Sequence, residues 1–118
     1  MSENIIKEKS FRFAIDTINI YKHLVGKNEY ILSKQLLRAG TSVGANIREA
    51  MDGQSKKDFL SKMNIALKEI KEVEYWLELL IETSYLSENE HSWYLDNCKE
   101  ICRILNAIVK STKRSLDI

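Results

Sequence analysis

Apolar residues recur every three or four positions along most of this chain, which is the spacing of one face of an α-helix. The pattern breaks near Gly26, Gly53 and Ser84, so it predicts four helices joined by short turns. The predicted helices run from about Asn4 to Val25, from about Glu29 to Met51, from Ser55 to near Ser84, and from Ser87 until the last four residues fray.

Each predicted helix has one stripe of residues that we expect to form the core. The four stripes are Phe11, Ala14, Ile15, Ile18, Tyr21 and Val25; Leu32, Leu36, Ala39, Val43, Ile47 and Ala50; Phe59, Met63, Ala66, Ile70, Val73, Leu77 and Leu80; and Tyr94, Cys98, Ile101, Leu105, Ile108 and Thr112. Ser55 with Asp58 and Ser87 with Glu90 have the spacing of helix caps. Because the connections are short, the sequence predicts an all-α fold, an antiparallel up-down-up-down four-helix bundle formed by one domain over residues 1–118.

The second helix also has an ordered polar stripe. Its members are Gln35, Arg38, Ser42, Asn46 and Glu49, spaced 3, 4, 4 and 3 apart. Amide and hydroxyl side chains suit fixed hydrogen bonds better than free solvation. The stripe therefore predicts that this helix faces something polar, either a partner subunit or a ligand.

The third helix has more apolar residues than one bundle requires. Beyond its core stripe it carries Leu60, Ile65, Leu67, Tyr75, Trp76, Leu79 and Ile81, with Lys68, Glu69 and Glu72 beside them. A second apolar stripe bordered by charge is typical of a subunit interface, although these residues could instead widen the core. Gly40 and Gly44 predict close approach of a neighbouring backbone, since each glycine costs roughly 1 kcal/mol inside a helix. We therefore expect a homo-oligomer.

Composition narrows the class of protein. The 118 residues are 44% apolar and 30% charged, with four glycines and no proline, which favours long helices in a globular domain. No apolar run approaches the ~20 residues needed to span a bilayer, and the N-terminal residues lack a signal-peptide core. We expect a cytoplasmic protein that makes no use of a membrane.

Charge is distributed unevenly although the formal net charge is only +1. The bundle end that holds residues 3–14, 42–65 and 104–118 has ten Lys or Arg against six Asp or Glu, and the remainder has eight against eleven. The ten cations that the topology sends to that end are Lys7, Lys9, Arg12, Arg48, Lys56, Lys57, Lys62, Lys110, Lys113 and Arg114. Repeated around an oligomer, this basic end could bind phosphates; the alternative is an ordinary set of solvated lysines at helix ends.

No constellation of catalytic or metal-ligating residues is found. Glu88 and His91 form one E-x-x-H, but a di-iron bundle needs two, and His23 has no such context. Cys98 and Cys102 lack partners at zinc-site spacing and are interpreted as small apolar helix residues. We expect no enzyme activity, no cofactor, no metal and no small-molecule substrate.

With these residues in view, the chain resembles the bacterial family of 23S rRNA intervening-sequence proteins over nearly its whole length. The family pattern Q-L-x-R-A-x-x-S-x-x-x-N-I-x-E is matched at Gln35, Leu36, Arg38, Ala39, Ser42, Asn46, Ile47 and Glu49, and A-x-x-E…W-L at Ala66, Glu69, Trp76 and Leu77. One departure is Ala50, where many members have glycine; here Gly53 comes slightly later.

The resemblance implies a four-helix bundle that assembles as a homopentameric ring. A similar protein serves diversity-generating retroelements by binding the reverse transcriptase and nucleic acid, and most members have no assigned activity. We therefore expect either an RNA-associated binding module, with self, RNA or a nucleic-acid-processing protein as partner, or a protein-interaction scaffold without a nucleic-acid role. The expected oligomer interface is Gln35, Arg38, Ser42, Asn46, Glu49, Glu69, Glu72 and Trp76; the expected nucleic-acid-binding residues are Arg48, Lys56, Lys57, Lys110, Lys113 and Arg114.

Overall fold

Four helices account for nearly all of the chain. The computed structural model describes residues 2–118, with side chains from Asn4 onward. The helices are α1 (Ser2–Gly26), α2 (Leu32–Met51), α3 (Lys56–Glu82) and α4 (Glu88–Ser115). No strand occurs in this part of the chain, so the all-α prediction is confirmed.

Neighbouring helices run antiparallel. Each helix packs on two others, in the order α1, α2, α3, α4 around the bundle. Two contacts define the direction of each pair of neighbouring helices. They are Thr17–Gly40 and Ser10–Gly44 between α1 and α2, and Arg38–Glu69 and Glu49–Lys62 between α2 and α3. Between α3 and α4 they are Ile70–Cys98 and Lys56–Ser115, and between α1 and α4 they are Lys9–Glu100 and Thr17–Tyr94. In every neighbouring pair the number rises along one helix as it falls along the other. The result is an up-down-up-down bundle that measures 47 × 21 × 21 Å.

The helix starts follow local capping chemistry. The Ser55 hydroxyl accepts a hydrogen bond from the Asp58 N–H at 3.1 Å and the Ser87 hydroxyl accepts one from the Glu90 N–H at 3.4 Å, as the sequence predicts. Helix α2 begins at Leu32, three residues later than predicted, because the Glu29 side chain folds onto the backbone N–H groups at the start of the helix.

The Glu29 carboxylate accepts hydrogen bonds from three consecutive backbone N–H groups at the start of α2. The donors are Ile31, Leu32 and Ser33, at 3.3, 3.1 and 2.6 Å. Burial by itself would raise the pKa of this carboxyl, but the three N–H donors lower it further than burial raises it, so the net pKa lies below its usual value. Glu29 therefore stabilises the start of α2 as an anion.

Three of the four predicted core stripes are confirmed. In α2, α3 and α4 every predicted stripe residue is buried except Leu32, Phe59 and Thr112, which are half-buried. The seam of α3, with steps of four and three residues from Met63 to Leu80, lies in the centre of the bundle.

The predicted core stripe of α1 is wrong. Phe11, Ile15 and Ile18 are 51%, 45% and 39% exposed. The buried residues of α1 are instead Ile6, Ser10, Phe13, Thr17, Ile20 and Leu24. This helix carries two apolar stripes, and the inner one contains two hydroxyl residues that made it appear the less hydrophobic of the two.

Two glycines of α2 explain why the stripe with the hydroxyl residues turns inward. A Cβ atom at Gly40 would lie 2.5 Å from Thr17 Oγ1 and Cγ2, and one at Gly44 would lie 3.3 Å from the Ser10 carbonyl oxygen. The close approach that the glycines predicted is present, to backbone at Gly44 and to the Thr17 side chain at Gly40, but the neighbour is α1 of the same chain. The glycine pair is therefore no argument for a subunit contact.

Candidate assembly faces and basic end

The polar stripe of α2 lies along the seam with α3. Arg38 donates to Glu69 Oε2 at 3.1 Å and also to Glu72, and its side chain is half exposed. The hydrogen bond to Glu72 raises the pKa of the Arg38 guanidinium, and the carboxylate charges of Glu69 and Glu72 raise it further. One cation is thus shared by two carboxylates, so the cluster has a net negative charge.

Three other members of the stripe, Ser42, Asn46 and Glu49, have partners within the chain. Glu49 pairs with Lys62 at 3.0 Å, and the Asn46 amide donates to the Ser42 carbonyl oxygen at 2.9 Å and to its hydroxyl at 3.1 Å. Gln35 is exposed. Partly exposed ion pairs of this kind contribute roughly 0–1 kcal/mol each, so the stability of the fold depends little on this stripe. The assignment of the stripe to an oligomer interface stays a prediction.

The extra apolar residues of α3 divide into two groups. Leu60 and Leu67 are buried and widen the core. Ile65 and Tyr75 point outward and are 37% and 56% exposed, while Trp76 is half-buried with its ring edge-on to Tyr75 at 5.1 Å. The Trp76 indole N–H is buried and has no acceptor among the described side chains and backbone. Part of the predicted second stripe is therefore surface and part is core.

Five of the six predicted nucleic-acid-binding residues lie at one end of α3 and α4. Lys56 and Lys57 are in the first turn of α3, and Lys110, Lys113 and Arg114 are in the last turns of α4; all five are exposed. The Lys56 ammonium donates to the Ser115 hydroxyl, which joins the two helix ends. A cavity of about 700 Å³ lies at this end, lined partly by Ser111, Thr112 and Ser115.

The sixth predicted residue, Arg48, lies on a different flank. Its guanidinium carbon is 5.1 Å from the centre of the Phe11 ring, a cation–π contact between α2 and α1. Three of the remaining cations of this end are held in ion pairs. Lys9 pairs with Glu100 at 2.9 Å, Arg12 with Glu8 at 3.6 Å, and Lys62 with Glu49. What we call the basic patch below is therefore Lys56, Lys57, Lys110, Lys113 and Arg114.

The basic patch contains two kinds of position. Lys113 and Arg114 sit in the last turn of α4, where a cation is stabilised by the negative end of the helix dipole. Lys56 and Lys57 sit in the first turn of α3, where the dipole is positive and a cation is disfavoured. Helix stability explains the first pair and leaves the second pair unexplained, and the second pair adds to a positive potential that attracts anions.

The histidines and cysteines form no larger constellation. His23 of α1 and His91 of α4 lie side by side with their rings tilted by 37° and the ring centroids 5.9 Å apart. Among the described residues no three His, Cys, Asp or Glu side chains come together as metal ligands. Burial raises the pKa of the Cys98 thiol to about 12, and that thiol lies 3.4 Å from the Ile70 carbonyl oxygen in the core.

The outer stripe of α1 is the feature that sequence reasoning missed. A pairing of small residues between two helices could have revealed it. Gly40 and Gly44 of α2 face Thr17 and Ser10, two small hydroxyl residues seven positions apart on α1. In the part of the chain that the structure describes, no helix combines the length and apolarity needed to cross a membrane.

These observations define a class of protein: an antiparallel four-helix bundle with exposed apolar side chains on its helices and a basic patch at one end. Residues 2–107 match the model of the 23S rRNA-intervening sequence protein family, and the chain belongs to that family. A solved structure from Bacteroides thetaiotaomicron, a protein of unknown function from the S23 ribosomal protein family, is 50% identical with a TM-score of 0.91. The similarity covers 93% of this chain and 99% of that one. A comparison with curated proteins found no match.

Proposed function

We propose that the protein is a non-catalytic homo-oligomer that binds RNA through its basic patch. The observation that carries the proposal is the placement of Lys56 and Lys57 in the first turn of α3, beside the cationic end of α4. Five exposed cations over two adjoining helix ends attract the phosphate backbone without selecting a base sequence.

Assembly strengthens this proposal because each subunit adds a copy of the basic patch. The resemblance to the family implies five subunits in a ring, and a ring places the patches on one rim. Many phosphate contacts of moderate strength then act together, although each chain has a net charge of only +1. The same argument makes binding strongly dependent on salt.

A charge reversal at the first turn of α3 tests the proposal. We expect Lys56→Glu with Lys57→Glu to weaken RNA binding about tenfold or more at low salt, since two phosphate contacts are lost in every subunit. Acidic residues in a first turn interact favourably with the helix dipole by roughly 0.3–1 kcal/mol each, so the melting temperature should stay constant or rise. Filter binding at several salt concentrations, with thermal unfolding beside it, measures both effects.

The matched control reverses two exposed lysines farther along the same helices. Lys71→Glu with Lys99→Glu changes the net charge by the same amount but leaves the basic patch intact. We expect this control to lower the affinity much less than the reversal at Lys56 and Lys57. Equal affinities for the two double variants would contradict the assignment of RNA binding to the patch.

The alternative function is a scaffold that binds another protein. The observation that favours it is the apolar surface of α1 and α3, which resembles a protein-interaction surface more than a nucleic-acid site. A partner that stays bound to the purified protein after complete nuclease treatment supports the scaffold, whereas loss of the partner supports the RNA-associated module.

A further inference from the structure

The basic patch explains the attraction of phosphates but leaves the adjoining cavity of about 700 Å³ unexplained. All four helices contribute to the cavity lining: Asn4 from α1, Met51 from α2, Phe59 from α3 and Ser111 from α4 are examples. Sites for small molecules usually have volumes of roughly 300–1,000 Å³. The cavity is therefore large enough for a ligand of that size at the basic end of the bundle.

Apolar side chains form one part of the cavity lining. Ala50 is buried, and Met51 and Phe59 are half-buried, so the last two leave part of their surface open to the cavity. A nucleobase can stack on such a surface, and stacking tolerates any base sequence because every base has a π-face. A phosphate or a sugar alone would leave this apolar part of the lining in water.

Neutral hydrogen-bonding groups form most of the remaining lining. Asn4 and Gln54 carry exposed amides, each with donors and an acceptor that match the edge of a base. Ser111 adds an exposed hydroxyl. The Thr112 hydroxyl donates to the Ile108 carbonyl oxygen at 2.7 Å, so it can only accept from a ligand. This lining suits a polar heterocycle better than a hydrocarbon.

Charge places the phosphate of such a ligand at one edge of the cavity. None of the described lining residues is acidic, and Lys56 is the one charged residue among them. Its ammonium donates to the Ser115 hydroxyl on α4. Asp52 and Asp58 line a separate recess of about 440 Å³, and Asp117 lies outside the lining of both. A phosphate at the Lys56 edge therefore meets no carboxylate of the described lining.

The cavity and the basic patch are continuous. Lys56 belongs to both, and on α4 the lining residue Ser111 follows Lys110 and lies one turn before Arg114. A nucleotide whose phosphate contacts these cations can place its base in the cavity. We infer that the cavity receives an unpaired base of the bound RNA, so that the protein selects single-stranded segments. This inference rests on the proposed function, since the basic patch must hold the RNA backbone.

Base pairing decides which RNA can use the cavity. In a duplex each base is stacked and paired, and extruding one costs the energy of unstacking and unpairing. The basic patch by itself favours the duplex, because two strands give a higher density of phosphate charge along the axis. A preference for single strands therefore reports a base in the cavity and not attraction by the lysines.

Three RNA probes and one variant test the inference by fluorescence anisotropy at constant ionic strength. The probes are a single strand of about 12 nucleotides, the same strand annealed to its complement, and an abasic strand of equal length. We expect the wild-type protein to bind the single strand about fivefold to a hundredfold more tightly than the abasic strand, and also more tightly than the duplex. Ser111→Leu places an aliphatic side chain in the cavity and keeps every charge, so it should remove most of this preference.

The matched control is Ser92→Leu, which makes the same change in the first turns of α4, at the opposite end of that helix. Both serines are exposed, so both variants should fold, which thermal unfolding checks. The control should keep the wild-type preference for the single strand. A Ser111→Leu variant that also keeps it overturns the inference.

The remaining outcomes separate the cavity from the basic patch. Wild-type protein that binds the duplex or the abasic strand as tightly as the single strand overturns the inference and leaves RNA binding by the patch standing. Adenosine monophosphate that displaces the single strand at an equal nucleotide concentration overturns it too, because the ligand is then a free nucleotide. Failure to bind any of the three probes at low salt overturns the proposed function itself.

Discussion

Gly40→Ala is expected to lower the free energy of unfolding by about 1–2 kcal/mol, because an overpacking cost of roughly 1–3 kcal/mol outweighs the roughly 1 kcal/mol by which alanine is the better helix former. The new Cβ would lie 2.5 Å from two atoms of Thr17 and 2.9 Å from its Cβ. Thr17 is fully buried and hydrogen-bonded to Tyr94, so it cannot move aside without breaking that bond. Urea unfolding at a fixed protein concentration measures the loss.

Two other glycines calibrate this measurement. At Gly26 an alanine Cβ would have no neighbouring atom within 4 Å, so Gly26→Ala should change the free energy of unfolding by less than about 1 kcal/mol. At Gly44 the Cβ would lie 3.3 Å from the Ser10 carbonyl oxygen. Gly44→Ala should therefore lower the free energy of unfolding by an amount between those of Gly26→Ala and Gly40→Ala. A Gly40→Ala variant as stable as Gly26→Ala would contradict the role of Gly40 in seating α1.

Thr17→Val is expected to cost about 1–3 kcal/mol, even though the two side chains have nearly the same shape. The Thr17 hydroxyl donates to the Phe13 carbonyl oxygen at 2.7 Å, so the Tyr94 hydroxyl, also at 2.7 Å, donates to Thr17. Tyr94 is fully buried and burial raises its pKa, so its hydroxyl stays neutral. Valine leaves that hydroxyl without a partner.

A double-mutant cycle separates this effect from simple repacking. In the Thr17→Val background, Tyr94→Phe removes the unpaired hydroxyl and keeps the ring, which stacks on Phe13 at 4.4 Å between centroids. We expect the double variant to be more stable than Thr17→Val alone. Losses that simply add would show that the two hydroxyls are not coupled.

The sequence predicted the fold because three of its helices each have one dominant apolar stripe. In α1 two stripes compete, and average hydrophobicity favours the one with Phe11, Ile15 and Ile18. Contacts with the other helices determine which stripe is buried. Thr17 and Ser10 pack against glycines of α2, and Thr17 forms a hydrogen bond with Tyr94 of α4. Periodicity within one helix does not contain that information, so α1 was correctly predicted as a helix but its buried face was predicted wrongly.

The candidate sites were predictable to a smaller extent. Topology correctly sent Lys56, Lys57 and the cations of α4 to one end, because that depends only on helix order. Topology did not show that Arg48 lies apart from these cations, because its contact with Phe11 depends on the rotation of α1 about its own axis. Likewise, the partners of Arg38 on α3 depend on the register between two helices, which residue spacing in either one does not fix.

The most direct test of the central claim is RNA binding by the purified oligomer of measured mass, titrated from low to physiological salt. The account predicts tight binding at low salt and a steep loss with increasing salt; neutralising six to ten phosphates gives roughly a 10³–10⁵-fold decrease between about 50 and 200 mM. Absence of binding even at the lowest salt would contradict the account and leave the protein-interaction scaffold as the function.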